Sequence, residues 1–432
     1  MAGSRAESTH LTRRRFLASA AAAGAASLAA TGCSSALKGS ASSPGATIKI
    51  GYVSPETGSV SVFTQSNSYV LQQVRAALSK GLTIGGRKHT VEIITKDSQS
   101  SSARAASAAA ELIQQNSVNF IIATATPDTV NPVSDQAESS GVPCLSTICP
   151  WEQWFYPRGG SATKSFRYTY MYFLGSQEEA TIFSKVWQKV SSNHVVGGLW
   201  PNDVDGQEFR RYVTQTVGRL GWKLVPSGAY ADGTQDFTSI ISDFKSHDVE
   251  ILHAVPIPPD WVTFWRQSAQ NRFKPKLATV SKALLFPSAA GSLGSLADNL
   301  VSPVWWTPGM PYRSSLDGTT ASAFARGYQA RTGQQWTQPM GFNYAAFEIA
   351  VAALKASGDP ADPAAVAGAL GKLKGQAITG NYDFTDGPVR NVATVPDLIG
   401  QWRPSGSGGY KLVIVDNSMN PEVAVQGSLE VL

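Results

Sequence analysis

Histidines, cysteines and carboxylates are the side chains here that could do covalent or proton chemistry, and their spacing decides which chemistry is open. The five histidines are His10, His89, His194, His247 and His253. None stands in a nucleophile–base spacing with a serine, cysteine or carboxylate. No phosphate loop, dinucleotide fingerprint, HExxH pair or nucleophile elbow occurs. Asp97, Asp203 and Asp205 end strand-like runs and read as solvated loop residues or hydrogen-bond acceptors for a ligand, not as an acid/base pair. His253, inside "EILHAV", reads as an interior histidine or a ligand contact. Binding is therefore expected rather than catalysis, with no cofactor and no metal.

The three cysteines divide into one and two. Cys33 follows "TRRRFL" and an Ala-rich run from Ala18 to Ala30. Such a run is too short and too weakly apolar to span a bilayer, and fits a charged and then apolar export leader. The arginines resemble a twin-arginine signal, and Thr31-Gly32-Cys33 resembles a lipobox whose cysteine becomes a lipidated N-terminus. Residues 1–32 are then a leader and 33–46 a Ser/Gly/Ala tether. The expected location is the outer face of the cytoplasmic membrane, with attachment through lipid on Cys33. Loss of the leader removes Arg5, Arg13, Arg14 and Arg15 with Glu7, so the formal charge falls from +5 to +2. The basic balance belongs to the leader, and no nucleic-acid partner is expected. Cys144 and Cys149, in "PCLSTICP", are either a disulfide pair of an exported chain or two small buried apolar side chains.

Behind these residues lie the elements that must position them. From Thr47 on, short β-branched runs such as "IKIGYVSP", "VNFIIATA", "HVVGGLW" and "VEILHAV" alternate with helical stretches. Near-continuous apolar strands separated by helices imply parallel sheets covered on both faces, in an α/β fold. Two such series in tandem, in a chain longer than one core serves, imply two lobes. Ligands of open parallel sheets bind beyond the carboxyl ends of the strands, so the cleft between the lobes is the expected site.

"IKIGYVSPETGSVSVFTQ", "GRKHTVEIITKDSQSSSARAASAAAELIQQNSVNFIIATAT", "LWPNDVDGQEF" and "GFNYAAFEIAVAALKASGD", in that order, resemble type I solute-binding proteins of branched-chain-amino-acid-type ABC transporters. The resemblance implies two Rossmann-like lobes joined by three hinge crossings. Their division would be 47–168 with 308–385, and 169–307 with 386–432. It also implies a monomer that closes on a small solute and delivers it to a permease and its ATPase. A lipoprotein receptor presenting the solute to a signalling partner is the alternative. Carried over by position, the ligand contacts would be Phe63; Thr124, Thr126 and Asp128; Ser146, Thr147 and Ile148; Tyr168 and Tyr170; and Asp205, Ile257 and Ser281.

The chain departs from amino-acid-binding members of that family at two places. Pro150 stands where a hydroxyl residue is usual, and Ser281 or Lys282 where an acid would meet the ligand's ammonium. A buried ammonium without a carboxylate is costly, which disfavours a zwitterionic amino acid. The clusters "PWEQWFYPR", "RYTYMYF" and "PVWW" instead favour a ligand with a flat apolar face, with about half of these aromatics expected to pack structurally.

Overall fold

The structure, a computed structural model, describes residues 45–406 and 408–432. The leader, the tether to residue 44 and Cys33 lie outside the described residues.

Seventeen strands are present among the described residues. In chain order they are β1 (Ile48–Ser54), β2 (Leu82–Ile84), β3 (Arg87–His89), β4 (Val91–Asp97), β5 (Phe120–Thr124), β6 (Cys144–Thr147), β7 (Thr169–Tyr172) and β8 (Val195–Leu199). There follow β9 (Lys223–Pro226), β10 (Ile251–Ala254), β11 (Leu277–Val280), β12 (Val301–Val304), β13 (Lys374–Ala377), β14 (Gly380–Asp383), β15 (Val392–Ala393), β16 (Leu398–Pro404) and β17 (Tyr410–Asp416). The first sheet runs β15-β7-β6-β5-β1-β4, with every pairing parallel. The second runs β17-β16-β12-β11-β10-β8-β9, parallel except for β16, which is antiparallel to both of its neighbours. Hairpins β2–β3 and β13–β14 stand apart from both.

The strands form where the sequence places β-branched and aliphatic residues in unbroken runs. β5, "FIIAT", and β10, "ILHA", are buried along their whole length, as strands covered by helices on both faces must be. Helix ends follow local chemistry as well. Ser101, Asp203, Thr320 and Asp362 each accept a backbone N–H at a helix start, and Gly141, Gly221, Gly333 and Gly358 end helices in the left-handed region.

β12 contradicts its own sequence, because Pro303 argues against a central strand. Trp402 N–H donates to the Leu300 carbonyl, so in this register the nitrogen of Pro303 faces away from β16. On that side β11 pairs with β12 only at Val301, and no ladder bond is lost.

The chain passes between the sheets three times: after β7, after β12 and between β15 and β16. A division after residue 168 would place β7 in the second lobe, and one after 385 would place β15 there; both pair in the first sheet. β7 completes the first sheet by lying parallel to β6, a non-local pairing that short-range patterning does not reveal. Among the described residues no helix is long and apolar enough to cross a membrane.

Candidate functional site

The carboxyl ends of both sheets converge on a narrow cavity of about 20 Å³, room for little more than one water. The first lobe contributes Phe63, Thr126, Ile148 and Pro150 to its wall. From the second come Glu179, Asp205, Phe209, Val255, Ser281 and Lys282, with Trp305 on the second crossing. A larger groove of about 550 Å³, lined by Trp265, Arg272, Phe273 and Leu432, lies at the opposite, amino-terminal ends of β11 and β12. It gathers no buried charge, and only one lobe builds it.

The first-lobe wall rests on strained backbone. Ala125, Thr126 and Ile148 all have positive φ, at 68°, 60° and 56°. For residues that are not glycine, and for a β-branched one above all, this conformation costs roughly 1–3 kcal/mol and persists only when its surroundings impose it. Thr126 N–H donates to the Ile148 carbonyl at 3.1 Å, tying the two loops together, while Thr129 Oγ1 donates to the Ala125 carbonyl.

Charge dominates the second-lobe wall. Asp203 caps the helix Val204–Leu220, its Oδ1 accepting the Gly206 N–H at 2.6 Å. Lys282 Nζ donates to Asp203 Oδ2 at 2.9 Å and to Asp205 Oδ2 at 3.0 Å, with Lys282 and Asp205 both buried. Burial alone would lower the Lys282 pKa, but the charges of Asp203, Asp205 and Asp232 outweigh it and hold the ammonium well above the usual lysine range. Asp205 is pushed up to about 6 by burial, against the pull of Lys282. Glu179 is raised well above the usual carboxylate range, by burial first and then by the charge of Asp397. Trp305 and Ser281 act as hydrogen-bonding neighbours of the Glu179 carboxyl and pull against that rise, while Asp205 Oδ1 is buried in this wall without a hydrogen-bond partner.

Of the residues singled out from sequence, Phe63, Thr126, Ile148, Asp205 and Ser281 meet at the cavity. Phe63 packs edge-on against Phe286 of the other lobe, with ring centroids 5.0 Å apart. Asp128 lies nearby on the exposed rim, where partial loss of solvent and then the charge of Asp203 raise its pKa. The others point elsewhere. Thr124 Oγ1 donates to Asn343 Oδ1 at 2.7 Å, joining a buried polar chain through Asn67 to Glu56. Ser146 shares a 2.8 Å hydrogen bond with Ser134, and Thr147 Oγ1 donates to the Tyr172 carbonyl at 2.8 Å. Tyr168 sits before β7, at the end of the sheet away from the cavity, with its carbonyl accepting the Cys144 N–H. Tyr170 reaches a helix instead, donating its hydroxyl to the Ala367 carbonyl at 2.8 Å. Ile257 is buried at the start of the helix Pro258–Gln270, outside the cavity wall.

Most of the aromatics pack structurally. Trp151, Trp154, Phe155 and Tyr156 stack among themselves and on Phe166, and Trp306 packs against Phe324 and Trp336. Among the described residues, only Phe63, Phe209 and Trp305 bring rings to the cavity. His253 is buried and accepts the Trp200 indole N–H at 3.0 Å, which fits the interior reading. Cys144 and Cys149 are free buried thiols, so of their two readings the buried pair holds and the disulfide does not. Asp203 is not isolated either, since it shares Lys282 with Asp205. Sequence reasoning missed Glu179 and gave Lys282 no partner. The signal for Lys282 was a lysine directly after an apolar strand, at the carboxyl end where ligands bind.

Residues 47–406 match the family model described as periplasmic binding protein. No curated protein sequence matches the chain. Among solved structures, the chain is similar to a leucine binding protein from Thermotoga maritima, at 17% identity and a TM-score of 0.72, covering 86% of this chain and 99% of that one. A solute binding protein of an ABC transporter from Rhodopseudomonas palustris, in complex with 3,4-dihydroxy benzoic acid, is 16% identical with a TM-score of 0.70, over 89% and 98% of the two chains. A branched-chain amino acid transporter substrate binding protein from Streptococcus pneumoniae, in complex with isoleucine, is 16% identical with a TM-score of 0.70, over 86% and 99%. At these identities the likeness is one of fold, and the family model spans most of the sequence: the chain belongs to the periplasmic binding protein family.

Proposed function

We propose that the protein is the lipid-anchored substrate-binding component of an ABC importer, which closes its two lobes on a small solute and delivers it to a permease. The solute is amino-acid-like, an amide or an aromatic compound; an aromatic acid and an amino acid are the ligands named for two structural relatives. The observation that carries this reading is a buried, charged cavity at the carboxyl ends of both sheets, walled by both lobes and by a hinge tryptophan. A solute touching both walls favours the closed form, and recognition of that form by the permease couples binding to transport. Two lobes divided after β7, after β12 and between β15 and β16, the lipid on Cys33, the monomeric state and the ligand contacts at Phe63, Thr126, Ile148, Asp205 and Ser281 belong to the same reading. Titration of purified protein with a panel of amino acids, amides, aromatic acids, sugars and polyols tests it. A binder whose affinity falls in both Phe63→Ala and Asp205→Ala supports it, and a binder indifferent to both variants removes the cleft from consideration.

A further inference from the structure

We infer, resting on the reading that the two lobes open and close, that Glu179 and Asp397 form a proton-holding pair at the hinge, which takes up a proton as the lobes close and favours opening when that proton leaves. All three crossings converge on this pair. Glu179 stands in the first turn of the helix Ser176–Trp187, which the first crossing feeds, and Asp397 is the last residue of the third crossing, directly before β16. The second crossing serves both. The Trp305 indole is a hydrogen-bonding neighbour of the Glu179 carboxyl, and the Val304 backbone N–H, at the end of β12, is one of Asp397. Asp397 Oδ1 also accepts the Leu398 N–H at 2.8 Å, while its Oδ2 is buried without a hydrogen-bond partner. Each acid is only 1% exposed.

Two neighbouring carboxyls this deeply buried do not both ionise without a large penalty, because each loses solvent and meets the other's charge. The charge of Asp397 acts on Glu179, and that of Asp205 adds to it from the helix Val204–Leu220. Among the described residues no cation is paired with either acid. Lys282, in the same wall as Glu179, is held by Asp203 and Asp205, and Lys189 is held by Asp416 on β17, the strand beside β16. Glu178 and Glu152, at the start of the Ser176–Trp187 helix, add only further acids. Burial raises both members of the pair, Glu179 well above the usual carboxylate range and Asp397 to about 7. Glu179 lines the cavity between the lobes, so opening admits water to it and returns its hold on the proton toward that of an ordinary carboxyl. The closed form therefore binds the proton more tightly than the open form. The closing equilibrium then falls by up to about tenfold per pH unit as pH rises from the ordinary carboxylate range through about 7, and levels off once the closed pair has lost its proton.

The test is small-angle X-ray scattering of the purified, solute-free protein at pH 5 and pH 8, with infrared spectroscopy at neutral pH as the direct readout of the proton. Wild type is expected to have a larger radius of gyration at pH 8 than at pH 5, from a closing constant at least about tenfold smaller, with the circular dichroism spectrum unchanged. Its infrared spectrum is expected to show the carbonyl stretch of protonated carboxyl groups at neutral pH. The double variant Glu179→Gln/Asp397→Asn keeps both shapes and removes both titrating groups. It is expected to lose one carboxyl's share of that band and to keep the same radius at both pH values. The wild-type scattering stands by itself where the double variant does not fold. A wild-type radius that does not grow from pH 5 to pH 8 overturns the inference, as does a growth that persists in the double variant. A radius that ignores pH but shrinks with a compound from the panel of amino acids, amides, aromatic acids, sugars and polyols overturns the inference and leaves solute-driven closure standing. A radius unmoved by pH and by the whole panel overturns both.

Discussion

At the scale of single residues, the Lys282–Asp205 pair is the feature most exposed to mutation. Removing one partner of a buried ion pair leaves the other charge uncompensated, at a cost of roughly 3–5 kcal/mol. Asp203 still holds Lys282, so Asp205→Ala is expected at the lower end, about 3 kcal/mol, as a lowered urea midpoint. Phe63→Ala removes a ring that spans the lobes against Phe286, and is expected to weaken solute binding by about 1–2 kcal/mol through loss of the closed form, read by calorimetry. Cys144 and Cys149 give a third test. Burial pushes the Cys144 thiol up to about 12 and the Cys149 thiol well above the usual range. Neither is expected to react with Ellman's reagent in the native protein, and both are expected to react in denaturant.

At the scale of elements, the hinge is held by close helix packing. Gly341 lies in the helix Pro339–Ser357, and a methyl group there would run into the Trp306 ring on the second crossing. Trp306 is fully buried and its indole donates to the Ile378 carbonyl at 3.2 Å, so it has little room to retreat. Gly341→Ala is expected to cost roughly 1–3 kcal/mol by denaturant titration. It should also weaken solute binding, because Trp305, the next residue on the same crossing, lines the cavity. The helix Ser176–Trp187 depends on a buried acid in another way: Glu152 accepts the N–H groups of Ser176 and Gln177 at 2.8 and 3.0 Å, fixing the helix start that carries Glu179.

For the whole molecule, buried acids set the response to pH. Burial raises Asp205 and Asp260 to about 6, and Glu152, Glu348 and Asp397 to about 7. Each then binds its proton more tightly in the folded than in the unfolded chain, so stability falls as pH rises from the ordinary carboxylate range to about 7, and levels off above it. Glu111 and Asp383 act oppositely. The hydrogen bond from Arg104 to Glu111 and that from Lys374 to Asp383 lower each acid to about 2, and the stability they contribute is lost as pH falls through that range. The urea midpoint is therefore expected to be higher at pH 5 than at pH 8, and to fall again toward pH 2. A midpoint that rises from pH 5 to pH 8 would contradict this assignment.

The sequence by itself determined the order of strands and helices, because unbroken β-branched runs, capping residues and terminal glycines act over a few residues. It also determined that Phe63, Thr126, Ile148, Asp205 and Ser281 lie on loops beyond strand ends, where an open parallel sheet places its ligands. Only the tertiary structure decided which side chains enter the cleft. Tyr168 and Tyr170 fell outside because β7 pairs with β6 in the first sheet, and that register aims Tyr170 at a helix nearly 200 residues further on. Thr124, Ser146 and Thr147 were claimed by neighbours distant in sequence, since each buried hydroxyl must find a partner. Lys282 found its carboxylates across 79 and 77 residues of chain, and Glu179 reached the cleft because the first crossing sets its helix there. Charge pairing and burial are properties of proximity in space, and proximity follows from strand order, which short-range patterning does not encode.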